Sequence, residues 1–201
     1  MLWLRKTGRS LWSSLRLMLV LTAILGIAYP LVITAIGQWT MPGRANGSKV
    51  SDTFGHVVGS SLLAQSFTDQ DGKPLPQYFQ PRPSAVDYDA GSSGASNMGP
   101  EDPALVNDIA LAKKQIAKFN GVPESAVPPD AVTMSGSGLD PDISPAYAQI
   151  QIARVARARG LSVDQVAAVV HQNTHGPELG YIGNACVNVL DLNLALDAMQ
   201  Q

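Results

Sequence analysis

The pattern of polar and apolar positions changes character near residue 41. From Leu17 to Trp39 no charge interrupts the chain, a run of 23 residues built mostly of Leu, Val, Ile, Ala and Gly. At about 1.5 Å per residue, such a helix crosses a hydrocarbon core of about 30 Å with some tilt. The run predicts a transmembrane helix over 17–39; a buried core helix and a cleaved signal peptide are the competing readings. The run is long for a signal peptide, and no small-x-small cleavage pattern follows closely. Pro30 removes one backbone donor inside the span, which predicts a kink and a helix packed against others that satisfy the freed carbonyl. Gly26 and Gly37 suit that close approach.

Beyond residue 41 the apolar residues recur at shorter and more varied periods. "GRANGS" (43–48) reads as a turn-rich linker, and "HVVGSSLLAQSF" (56–67), rich in β-formers, as the start of a sheet. "TDQDGKPLPQ" is an exposed loop. The stretch 78–103 is long, rich in Pro, Gly and Ser, and without helical period, so it is either disordered or functional. Its aromatic residues Tyr78, Phe79 and Tyr88 favour an ordered loop that packs or binds.

Leu105, Ile109, Ala112, Ile116 and Phe119 then share one helical face, ended by Gly121. Ser144-Pro145 opens a helix that Gly160 closes, and Ser162 with Gln165 forms a capping-box pattern for the next. "ACVNVLDLNLAL" is ambiguous in period and is read as a strand, Val187 to Leu190, followed by a helix, Leu192 to Met199, capped by Asp191. The fold class expected is α+β: one N-terminal transmembrane helix followed by a small exterior α+β domain.

Charge orients the span. Arg5, Lys6, Arg9 and Arg16 precede it with no acid among them, whereas only Arg44 and Lys49 follow nearby, which predicts a cytoplasmic N-terminus (1–16) and an extracytoplasmic domain (40–201). With those four set aside, ten basic residues face sixteen acidic ones, a balance of about −6, which disfavours nucleic acid as a partner. The one cysteine, Cys186, excludes an internal disulfide, and lies too far downstream to be a lipoprotein anchor.

Candidate chemistry is sparse. The loop Ser135-Gly136-Ser137-Gly138 before a helix invites an anion-binding reading, since glycines let N–H groups converge and a helix start adds positive potential. The Gly-Lys-Ser/Thr of a phosphate loop is missing, however, and Asp140 and Asp142 would repel phosphate. A tight turn is the competing reading. His171 and His175 are four apart, a spacing that suits two ligands on one helical turn, yet no glutamate stands between them. Ser135, Ser137 and Asp140 lack the elbow of a serine hydrolase. Arg154, Arg157 and Arg159 read as a solvated face.

Eight collinear segments carry a resemblance: Tyr29-Pro30-Leu31, "ANGS" (45–48), "VGSSL" (58–62), "YFQPRPSA" (78–85), "SGASNMGP" (93–100), "SGSGLDPDIS" (135–144), "RVARARGL" (154–161) and "VNVLDLNLALD" (187–197). Together they resemble the KdpC family, the small subunit of the bacterial high-affinity potassium-transporting P-type ATPase. One departure is visible: where the family commonly reads Gly-Glu-Pro-Arg, this chain has Gly183-Asn184-Ala185-Cys186.

The resemblance implies a non-catalytic accessory subunit, single-pass in the plasma membrane with a periplasmic domain. Its implied partners are a channel-like potassium-binding subunit, a P-type ATPase subunit and a very small membrane peptide. It implies no tightly bound cofactor: potassium is the transported ion, and ATP enters through the ATPase subunit. The family has been described as a catalytic chaperone that raises that subunit's ATP affinity, which carries over to Ser135, Gly136, Ser137, Gly138, Leu139, Asp140 and Gln151. Partner-interface candidates are Tyr29, Pro30, Tyr78, Phe79, Arg82, Ser93, Gly94, Ser96, Asn97 and Arg154. An exterior domain cannot readily reach cytoplasmic ATP, so the topology argument favours an assembly or ion-entry role. A free-standing membrane-anchored binding protein and an exterior hydrolase are the alternatives.

Overall fold

The apolar run becomes one long helix in the computed structural model: α1 (Leu2–Leu21), a π-helical stretch (Thr22–Ala28) and α2 (Tyr29–Thr40). The structure describes the backbone of residues 2–199 and the side chains of residues 8–199, so the Arg5 and Lys6 side chains of the charge argument lie outside the described residues. From Gly8 to Thr40 the helix is long and apolar enough to cross a membrane. The effect of Pro30 takes a specific form. The Tyr29 N–H donates to Ile24 O, five residues back, and the widened turn ends just before the proline. A proline ring crowds the carbonyl four residues back, and a π-turn opens that space.

Thr40 donates its hydroxyl to Ile36 O, and Met41 leaves the helical region. The expected linker is partly helical: α3 (Pro42–Ala45) follows at once, and the side-chain amides of Gln38 and Asn46 exchange hydrogen bonds of 3.1 and 3.0 Å across the corner. Residues up to Ser48 form one compact unit and those from Lys49 another.

The second unit is mixed, with more helix than sheet. β1 (Lys49–Ser51) and β2 (Val57–Ser60) pair as an antiparallel ribbon. β3 (Asp142–Ile143), β5 (Cys186–Asn188) and β4 (Thr174–His175) make a small antiparallel sheet with β5 in the centre. The segment 56–67 therefore contributes only β2, and to the ribbon rather than the sheet.

Helix boundaries follow local chemistry. Asp102 caps α4 (Pro103–Asn120) through Ala104 N–H, Pro103 takes the first position, and Gly121 ends it at φ 69°. Short α5 (Pro129–Val132) precedes α6 (Pro145–Arg159), which Ser144 caps and Gly160 ends at φ 68°. Ser162 and Gln165 form both halves of the capping box of α7 (Val163–Gln172). At the C-terminal end the sequence reading is corrected. The strand stops at Asn188, α8 (Val189–Ala198) begins two residues before the expected cap, and Asn188, not Asp191, is the cap, its side chain accepting from Asp191 N–H. Asn188 also donates to Ser61 O at 2.8 Å, so one tertiary bond sets the boundary that period could not.

His171 and His175 do not share a helical turn, because α7 ends at Gln172 and His175 lies in β4. The core gathers Phe79, Ile143, Tyr147, Ile152, Val155, Val166, Val187, Leu192 and Leu196 from the loop, sheet and helices. Phe79, from the segment without regular structure, is fully buried there.

Candidate functional site

α6 turns Tyr147, Ala148, Gln151, Ile152, Arg154, Val155 and Ala156 inward. Two of these are polar, and an unpaired polar group at such depth is costly. Both find partners in the backbone of the loop 76–80. Gln151 Oε1 accepts from Gln80 N–H at 2.8 Å, and Gln151 Nε2 donates to Gln80 O at 3.2 Å. Asn193 of α8 treats the next residue identically: Phe79 N–H donates to Asn193 Oδ1 at 2.8 Å, and Asn193 Nδ2 donates to Phe79 O at 3.0 Å. Two side-chain amides thus do for adjacent loop residues what a neighbouring strand would do.

Arg154 completes the clasp. Its Nη1 donates to Pro76 O (2.6 Å) and Tyr78 O (2.9 Å), its Nη2 to Gln151 Oε1 (2.7 Å) and its Nε to Asn120 Oδ1 (2.9 Å). The guanidinium also lies 4.3 Å from the centre of the Phe119 ring. Burial pushes the Arg154 pKa down to about 10, so the group stays cationic at neutral pH. Arg159 Nε donates to Gln77 O at 2.7 Å, and its Nη2 pairs with Asp197 at 2.8 Å. The reading of Arg154, Arg157 and Arg159 as a solvated face is therefore corrected: Arg157 is exposed, Arg154 is buried, and the Arg159 side chain is 3% exposed. Loop carbonyls that no strand serves draw both guanidinium groups inward.

The same loop continues over the serine-glycine turn. Arg82 Nη1 pairs with Asp140 Oδ2 at 2.7 Å, and Ser84 Oγ donates to Gly138 O at 2.7 Å while accepting from Val86 and Tyr88 N–H. Tyr88 returns its hydroxyl to Arg82 O at 2.9 Å, and burial pushes its pKa up to about 12. Gly94 N–H and Ser93 Oγ both donate to Ser137 O, at 2.9 and 3.0 Å.

The turn's own N–H groups are largely spent. Ser135 N–H donates to Pro83 O, Gly138 N–H to Ser135 O, and Leu139 N–H to Ser137 Oγ. A phosphate cradle needs such groups free and convergent. Ser135, Gly138 and Leu139 are buried, Gly136 and Ser137 are exposed, and Asp140 is engaged by Arg82. The turn does not lead straight into the helix: β3 stands between, and Ser144 is locked to α5 by two bonds to Asp130, at 2.8 and 2.9 Å.

Among the interface candidates, Phe79 and Arg154 lie inside and hold the loop rather than face a partner. Tyr78, Arg82, Gly94 and Ser96 are half-buried, Ser93 and Asn97 are exposed, and Asn97 sits at φ 54°. Asn184-Ala185-Cys186 edges a hollow with Arg82, Asp130, Asp140 and Asp142. Burial, then neighbouring Asp140, pushes the Asp142 carboxyl up, and burial, then Asp142, pushes the Cys186 thiol up. Asn120, Asn193, Gln80 and Ser84 escaped the sequence reading. The signal for Asn193 was there, a lone amide inside the apolar period of "LDLNLAL".

The described residues comprise a membrane-length helix and a small α+β unit in which side chains of α6 and α8 clasp an irregular loop. A family profile described as "KdpC: K+-transporting ATPase, c chain" matches residues 11–198. The "Potassium-transporting ATPase KdpC subunit" of Caulobacter sp. (strain K31) is 49% identical, over 88% of this chain and 87% of its own length. That of Kineococcus radiotolerans is 48% identical over 92% and 91%, and that of Streptomyces coelicolor 42% over 96% and 94%. The chain belongs to the KdpC family and is a non-catalytic subunit of a potassium-transporting ATPase.

Proposed function

We propose that the chain is the single-pass accessory subunit of an ATP-driven potassium import complex, with its basic N-terminus cytoplasmic and the unit from Lys49 outside. In this reading it joins a channel-like potassium-binding subunit, a P-type ATPase subunit and a small membrane peptide, and serves assembly. Any stimulation of the ATPase subunit passes through those partners, not through ATP held by this chain. The observation that carries the reading is the clasp itself: Gln151 and Arg154 are spent on residues 76–80, and the serine-glycine turn on residues 83–94.

The chaperone proposal differs in making Ser137 and Gln151 tune nucleotide affinity. Ser137 is the informative position, because among the described residues its exposed hydroxyl bonds only Leu139 N–H, so Ser137→Ala is expected to leave the fold intact. ATP affinity of the purified complex is expected to stay within about twofold for Ser137→Ala. A tenfold loss, about 1.4 kcal/mol, in a normally assembled complex overturns the reading.

Orientation has its own test. With Cys186 replaced by serine, single cysteines placed after Gly43 are expected to react with an impermeant thiol reagent in intact cells. Labelling only after lysis places the unit on the other side.

A further inference from the structure

Beside the clasp, α4, α6 and the loop 74–80 border a hollow of about 170 Å³. A cavity of about 150 Å³ is enough to hold benzene. Pro74, Ile116 and Phe119 give the wall an apolar part, Gln80, Asn120 and Tyr147 a polar one, and none of the residues lining it is charged.

Tyr147 is the group the fold leaves unexplained. The residue is 3% exposed, yet its Oη gives and takes no hydrogen bond among the described residues, and only its backbone N–H is used, on the Ser144 cap. A tyrosine hydroxyl this deep ordinarily finds a partner. Burial pushes its pKa up, so it stays a neutral phenol. Arg82 Nε is unpaired and sealed off by protein; Oη is unpaired but not sealed, and so opens onto the hollow that the residue lines.

Gln80 supplies the complement. Its Nε2 donates to Phe67 O, Leu75 O and Tyr78 O at 3.1, 3.2 and 3.3 Å, which fixes the amide's orientation and leaves Oε1 without a donor among the described residues. Asn120 is already spent, through Nδ2 on Ile116 O and through Oδ1 on Arg154. The hollow thus offers one hydroxyl, one amide oxygen and an apolar wall.

We propose that this hollow is a binding site for a small neutral molecule, an apolar ring of about benzene size whose carboxamide or hydroxyl accepts from Tyr147 Oη and donates to Gln80 Oε1. An ionic head is excluded because no lining side chain would neutralise it out of water. A nucleoside triphosphate is excluded by size as well as charge. The ligand touches α4, α6 and the loop at once, so it stabilises the closed clasp by binding that form alone. The site goes beyond the subunit reading, and its failure leaves that reading in place.

Benzamide is the test ligand and benzoate its charged counterpart, each added to the full chain in mild detergent. Millimolar benzamide is expected to slow hydrogen exchange saturably over 74–80 and 115–120, and benzoate to leave it unchanged. Tyr147→Phe keeps the ring and removes the hydroxyl. It is expected to weaken benzamide binding by roughly three- to tenfold, while the urea midpoint of the ligand-free chain stays the same or rises, because no bond within the protein is lost. A lower midpoint for Tyr147→Phe means that ordered water holds the hydroxyl, and overturns the site. So does benzamide without saturable protection, equal protection by benzoate, or equal benzamide binding to both forms of the chain.

Discussion

Gly138→Ala is expected to destabilise the Lys49–Gln201 unit by about 3 kcal/mol or more, enough to deplete the folded subunit. Gly138 adopts φ +70°, and a Cβ there would meet Val86 Cγ2 at 2.6 Å and the carbonyl oxygen of Gly94 at 2.8 Å. The first obstacle is a side chain that can turn. The second is backbone, held in place by Gly94 N–H on Ser137 O, so the strain has nowhere to go. The sequence reading treated Gly136 and Gly138 alike. The structure separates them, because Gly136 has open space around its Cβ position and no positive φ. Gly136→Ala is therefore expected to stay within about 1 kcal/mol. Urea unfolding of the full chain in mild detergent measures both, and equal midpoints for the two variants refute the assignment.

Arg154→Ala is expected to cost about 3–5 kcal/mol, because one truncation takes a donor from Pro76 O, Tyr78 O, Gln151 Oε1 and buried Asn120 Oδ1 and removes the guanidinium from the Phe119 face. Gln151 Oε1 and Tyr78 O then keep only their bonds from Gln80. Arg154→Lys is expected to recover little. An ammonium cannot span the fork that reaches helix and loop together, nor stack its plane on Phe119. Hydrogen exchange locates the damage: Phe79 and Gln80 N–H should lose protection first, since the Gln151 and Asn193 amides hold them only while the clasp is closed. A stable Arg154→Ala variant with unchanged protection over 76–80 refutes the clasp. Any fall in ATP use by the complex should then track loss of assembled subunit.

Local chemistry made much of this legible in advance. An uncharged run of 23 residues has few folded fates, so the membrane-length helix needed no tertiary context. The caps at Ser144 and Ser162 and the left-handed stops at Gly121 and Gly160 are decided within a few residues of chain, and they stand where the sequence placed them. Family membership was likewise carried by collinear motifs spread along the chain.

Other features depended on partners far away in sequence. Pattern alone could not show that Arg154 and Arg159 point inward, because their partners are carbonyls of residues 76–78. Nor could it end β5 at Asn188, which a bond to Ser61 O sets. Residues 76–80 carry no period because amides and guanidinium groups on α6 and α8 hold them, rather than strand neighbours, and residues 82–94 because they are tied to the turn at 135–140. Short-range propensity determined the ends of α4, α6 and α7 and the membrane-length segment, each stabilised by atoms a few residues apart. The burial of polar side chains, and with it the distinction between Gly136 and Gly138, arose from desolvation and packing between segments that meet only once the chain has folded.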